Sequence, residues 1–85
     1  VYTALLPHAA GGRARARLER LRLALARGET AECESARESL AHYESIGQPM
    51  GIGYAKAVLG ECLRRRGERE EADAQIAEAL ALLRA

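Results

Sequence analysis

Two cysteines, two histidines and a run of three arginines are the groups in this 85-residue sequence with chemistry to offer. Cys33 and Cys62 lack the close spacing of a CxxC motif, and no neighbouring histidine completes a zinc set. Both fall among small residues in helical patterns, which reads as two reduced, buried side chains. A disulfide between them stays open, because helix contacts can bring Cα atoms within bonding reach. His8 and His42 have no serine or cysteine at catalytic spacing and read as surface histidines. Arg64-Arg65-Arg66 carries enough charge to touch phosphate. Glu61, Glu68, Glu70 and Glu71 crowd it, however, and the run reads better as a salt-bridged helix end. No glycine-rich phosphate loop follows a strand. The sequence therefore offers no catalytic residue, no cofactor site and no metal site, and the expectation is a protein that is not an enzyme.

Composition narrows the class. The net charge is +1, too small to draw nucleic acid or an anionic membrane by bulk electrostatics. Twelve arginines stand against one lysine, a bias that a GC-rich genome explains without function. Hydrophobic residues make up 48%, but Phe and Trp are absent and alanine dominates. Such a core must come from close helix contact rather than large side chains. No signal peptide is visible and no apolar run is long enough to span a bilayer, so a reducing cytoplasm is the default expectation. The chain opens on Val1 rather than Met, which reads as a piece of something longer.

Those residues must be positioned by helices, since no segment alternates with period two. Tyr2 to Leu6 reads as a helical stub stopped by Pro7, and residues 8–12 as a loop. A helix over 13–27 carries the stripe Ala14, Leu18, Leu21 and Leu25, with Leu23 suggesting a second buried face. Gly28 ends it, and Thr30 is a good N-cap for a helix over 31–45 striped by Cys33, Ala36 or Arg37, Leu40, and Tyr43 or Glu44. Gly47 and Pro49 break the chain. A third helix runs from 50 or 51 to 66, with Ile52, Ala55, Val58, Leu59 and Leu63 apolar. Gly51 and Gly53 weaken its first turn by about 1 kcal/mol each. Gly67 ends it, and a fourth helix over 69–84 carries Ala72, Ile76, Ala79 and Leu80, with Glu70 and Glu71 at its positive end. The expected division is a stub and loop (1–12), a first hairpin (13–46) and a second (50–85), all in one domain.

The two halves echo one another, their breaking glycines 67 − 28 = 39 residues apart. A helix pair repeated at that period suggests a solenoid. The second half, with Leu59-Gly60, Leu63, Gly67, Ala72, Ile76 and Ala79, resembles a tetratricopeptide repeat. Lys56 and Arg84 stand where that family places a tryptophan and a proline. The first half matches less well, holding the register only at Gly28, Cys33 and Leu40. Tyr43-Glu44-Ser45-Ile46-Gly47, then Gly51-Ile52, together with Tyr2 to His8, is similar to the long-period arrays of large bacterial signalling and transcriptional regulators.

The resemblance implies an all-α fold: antiparallel helical hairpins stacked as a short, right-handed, tetratricopeptide-like solenoid of four main helices plus the stub. It implies a protein-binding module cut from a larger regulator. The family's groove positions fall on Tyr54, Ala57, Val58, Glu61, Arg64 and Arg65, whose side chains suit an extended peptide or a helix, with arginine forks for carboxylates. Ala57 and Glu61 occupy the places where chaperone adaptors carry the lysine and asparagine of their carboxylate clamp, so that ligand is not expected. Two hairpins are fewer than a solenoid usually needs, and exposed end faces point to a two-fold homodimer. The alternatives are a helical homodimerisation domain with no separate ligand, a nucleic-acid module, and a small-molecule cavity between the hairpins.

Overall fold

A computed structural model describes residues 2–29 and 32–84, with side chains over 12–29 and 32–84. Four α-helices follow in chain order: α1 (Tyr2–Ala26), α2 (Glu34–Ser45), α3 (Pro49–Arg65) and α4 (Arg69–Arg84), with no strand among the described residues. Each helix packs on the next, and α1 also touches α3. The expected stops after α1 and α3 are present. The expected loop over 8–12 is not, since α1 runs unbroken through Pro7, Gly11 and Gly12 and absorbs the stub. Pro7 removes one backbone bond, and the glycines each cost about 1 kcal/mol against alanine. The alanines and leucines around them are strong helix formers and carry the conformation through. The N-cap expected at Thr30 lies outside the described residues.

Three helices end in the same way. Gly28, Gly47 and Gly67 have φ of +74°, +62° and +82°. At the first, the Gly28 N–H donates to the Leu25 carbonyl and the Glu29 N–H to the Ala24 carbonyl, both at 3.0 Å. Gly47 with Gln48, and Gly67 with Glu68, repeat that pair of bonds. This is the Schellman arrangement, which satisfies the last carbonyls of a helix and needs a left-handed residue where L side chains are disfavoured.

The next helix starts differ. Gln48 caps α3 by accepting the Gly51 N–H at 2.6 Å, with Pro49 in the first turn, where its missing donor costs nothing. Cys33 precedes α2 and makes no side-chain cap.

The core is built from small groups in close contact. Leu18, Leu59 and Leu63 are its largest fully buried side chains, joined by Ala14, Leu21, Leu25, Ala36, Ala55, Val58 and Ala72. Ser39, also buried, donates to the Ala14 carbonyl at 3.1 Å and ties α2 to α1. Gly60 lets α4 approach α3: a Cβ there would sit 2.5 Å from Ile76 Cγ1. Gly51 and Gly53 are buried because the Tyr43 ring covers the first and Leu83 the second. The residues that weaken the first turn of α3 thus make its packing surface. Leu23 is 50% exposed, so the second buried face expected on α1 is absent. Leu80, expected in the α4 stripe, is 45% exposed, because Ala72 and Ala79 make the buried line.

Cys33 and Cys62 are joined by a disulfide, with Cα atoms 5.8 Å apart, where the sequence favoured two separate thiols. The packing of α2 on α3 brings the start of one beside the last turns of the other, a proximity that linear spacing does not reveal. The bond closes a loop across 29 positions. Chain entropy makes such a closure worth about 3–4 kcal/mol, a large part of the stability of a small domain. Cross-helix ion pairs add less. Arg17–Glu38 and Arg37–Glu71 are exposed and worth at most about 1 kcal/mol each. Reduction with a dithiol is expected to lower the free energy of chemical denaturation by about 3–4 kcal/mol, and Cys62→Ala should match the reduced wild type within about 1 kcal/mol. An unchanged denaturation midpoint on reduction would contradict the assignment.

Candidate functional site

On α3, residues 54, 57, 58, 61 and 65 recur at the helical period and share a face. On α1, residues 22, 25 and 26 do the same. Where α1 lies beside α3 these faces enclose a cleft of about 380 Å³, lined by Arg22, Leu25, Ala26, Tyr54, Ala57, Val58, Glu61 and Arg65. Leu25 and Val58 are almost wholly buried and make an aliphatic floor. Five of the six groove residues expected from the sequence therefore line one cleft. Arg64 does not; it sits one position around the helix and reaches Glu61 from outside at 3.9 Å. Arg66 lines a separate polar hollow beside Cys33 and Arg37. Successive residues on a helix diverge by about 100°, so the three arginines do not converge on one phosphate.

The α1 wall has no counterpart among the groove residues expected from the sequence. Counting the glycine separation of 39 back from the six expected groove residues lands on Arg15, Leu18, Glu19, Arg22, Leu25 and Ala26, of which Leu18 is buried in the core and the other five remain. All five line the cleft or its continuation. The repeat offset held the signal, but the weak register of the first half hid it. The continuation is a second chamber of about 390 Å³ that shares Arg22 and Tyr54 with the first and extends to Tyr43, Met50 and Leu83.

Charge is arranged alike on both walls. On α1, Glu19 lies between Arg15 (3.7 Å) and Arg22 (3.4 Å). On α3, Glu61 lies between Arg65 (3.4 Å) and Arg64 (3.9 Å). Each carboxylate is shared by two guanidiniums: the α1 wall keeps one net positive charge, while on α3 the lining pair Glu61 and Arg65 is neutral and Arg64 adds its charge from outside the cleft. These pairs are substantially exposed, so they hold weakly and exchange readily. The Arg15 guanidinium carbon is 5.9 Å from the centre of the Tyr54 ring, within cation–π range.

Tyr54 divides the two chambers. Its hydroxyl oxygen is buried near the Glu19 carboxylate, which favours the protonated phenol as an acceptor although the contact falls short of full hydrogen-bond geometry. Burial pushes its phenol above the ordinary 10.0; Arg22 and Arg15 oppose this and Glu19 adds to it. The group is a neutral hydroxyl at physiological pH, able to donate. His42 is half-buried rather than on the surface, with its Nε2 buried and unpaired and its ring 5.8 Å from that of Tyr43. Among the described residues no cluster of three or more His, Cys, Asp or Glu could hold a metal ion. No described helix is long and apolar enough to cross a membrane.

No protein-family model matches the chain, and no curated protein or solved structure shows significant similarity to it.

Tyr54 is expected to ionise above the ordinary tyrosine value. A raised folded value means that the folded state holds the proton longer, so the contribution of Tyr54 to stability is complete below pH 10 and is lost as pH rises through the folded value. Ultraviolet titration of the wild type against Tyr54→Phe isolates the step. A difference curve centred at or below 10 would contradict the burial.

Proposed function

We propose that this chain is a protein-docking module whose α1–α3 cleft holds a segment of a partner protein or of an adjoining domain. The observation that carries the reading is the cleft itself: an aliphatic floor, a buried tyrosine hydroxyl, and charged rims on two helices far apart in sequence. Grooves of that composition fix a peptide by apolar contact and orient it with a few polar groups. The finer architecture belongs to the same proposal. The helices would stack as a short right-handed, tetratricopeptide-like solenoid, and the module would serve a larger bacterial regulator. The left-handed glycines, the close approach at Gly60 and the 39-residue offset between the cleft walls support that stacking. A nucleic-acid role has less support, because the net charge is only +1 and Arg64, Arg65 and Arg66 diverge around the helix rather than converging on one phosphate.

A second reading, homodimerisation without a separate ligand, is favoured by one observation: Met50, Leu80 and Leu83 are 63%, 45% and 44% exposed. Apolar side chains left open in this way suit a second copy of the chain.

One experiment separates the two. Peptides are selected from a displayed random library on the intact chain, then measured against Ala57→Trp, which fills the cleft, and Leu80→Glu, which alters the exposed apolar side away from it. Docking predicts that selected peptides lose at least about tenfold in affinity, ~1.4 kcal/mol, on Ala57→Trp. Sedimentation should be unchanged by that substitution. A blank selection, with a dimer that Leu80→Glu dissociates, would instead establish the second reading.

A further inference from the structure

Resting on the docking reading, we infer that the α1–α3 groove is selective for an acidic–aliphatic segment: a short stretch of partner chain with an aliphatic side chain flanked by carboxylates. The inference comes from charge complementarity. Four guanidiniums, of Arg15, Arg22, Arg64 and Arg65, attend two carboxylates, Glu19 and Glu61, in and beside the groove. Each internal pair is monodentate in reach and open to water, so a partner carboxylate can take a guanidinium without unmaking a buried bond. A basic segment would meet an excess of guanidiniums in and beside the groove. A wholly apolar segment would fill the floor of Leu25 and Val58 but leave the arginine forks unused.

The dimensions suit a short ligand. From residue 54 to residue 65 the helix advances about 16 Å at 1.5 Å per residue, a span covered by roughly five extended residues. Within that span the aliphatic side chain meets Leu25, Ala57 and Val58. A carboxylate on one side reaches Arg65 or Arg22, and a backbone carbonyl can accept from the Tyr54 hydroxyl. Arg15, stacked near the Tyr54 ring, receives the second carboxylate in the adjoining chamber.

The test uses three short synthetic peptides with the same leucine positions and Glu, Gln or Lys at the polar ones. Each is labelled and titrated with the intact oxidised chain by fluorescence anisotropy, at low and at physiological ionic strength. The Glu peptide is expected to bind about tenfold more tightly than the Gln peptide and to weaken with salt, and the Lys peptide to bind worst. Arg22→Gln and Arg65→Gln should each lower the ratio of Glu-peptide to Gln-peptide affinity, with the circular dichroism spectrum unchanged. Equal binding of the Glu and Gln peptides, or preference for Lys, overturns the acidic selectivity. If no peptide of the set binds while library selection still yields cleft-dependent binders, this inference fails and the docking reading stands. If the selection is blank as well, both fall.

Discussion

At the end of three of the four helices the backbone has to enter the left-handed region, and that requirement shapes the rest of the molecule. Gly28, Gly47 and Gly67 each place their own N–H and the next one back onto the carbonyls of the helix just ended. A Cβ at any of the three would meet nothing within 4 Å. The demand is therefore on the dihedral angle and not on space. Where the chain leaves α1, α2 and α3 is marked by local backbone hydrogen bonding, with no side chain packed on the glycine. The juxtaposition of α1 with α3, and so the cleft, follows from where those exits occur.

Packing then takes over with unusually small parts. Gly60, Ala72 and Ala79 let α3 and α4 approach, and Gly51 lies under the Tyr43 ring. Close approach substitutes for the large aromatic core that a chain without Phe or Trp cannot build. What this core lacks in buried area is offset by the Cys33–Cys62 bond, which joins the start of α2 to the end of α3 within the apolar cluster. Because Cys62 and Glu61 are adjacent on α3, the staple also steadies the helix that forms one wall of the groove.

Much of this was legible in the sequence. The apolar stripes at Ala14, Leu18, Leu21 and Leu25, and at Ala55, Val58, Leu59 and Leu63, were plain because a helical period over several turns leaves few alternatives. The breaks at Gly28, Gly47 and Gly67 were equally plain. Other features were hidden because they depend on partners distant in the chain. Gly51 and Gly53 look like weak helix until Tyr43 and Leu83 are placed over them. Leu80 looks buried until Ala79 is seen to take the contact, and Pro7 looks like a stop until the surrounding alanines are weighed. In the groove, the α3 face came from a resemblance that the residues carried. The α1 wall required accepting the 39-residue offset through a half whose register is poor. The pairing of Cys33 with Cys62 lies in no local pattern.

The most direct measurement compares two chemically synthesised chains that differ in one stereocentre: Gly67→Ala, and the same position carrying D-alanine. Both add the same methyl group in open space, and only the L form opposes a φ of +82°. The expected result is a loss of about 1–2 kcal/mol in denaturation for L-alanine and none for D-alanine. Equal stability of the two chains would mean that the left-handed turn is not what ends α3 and sets the groove wall in place.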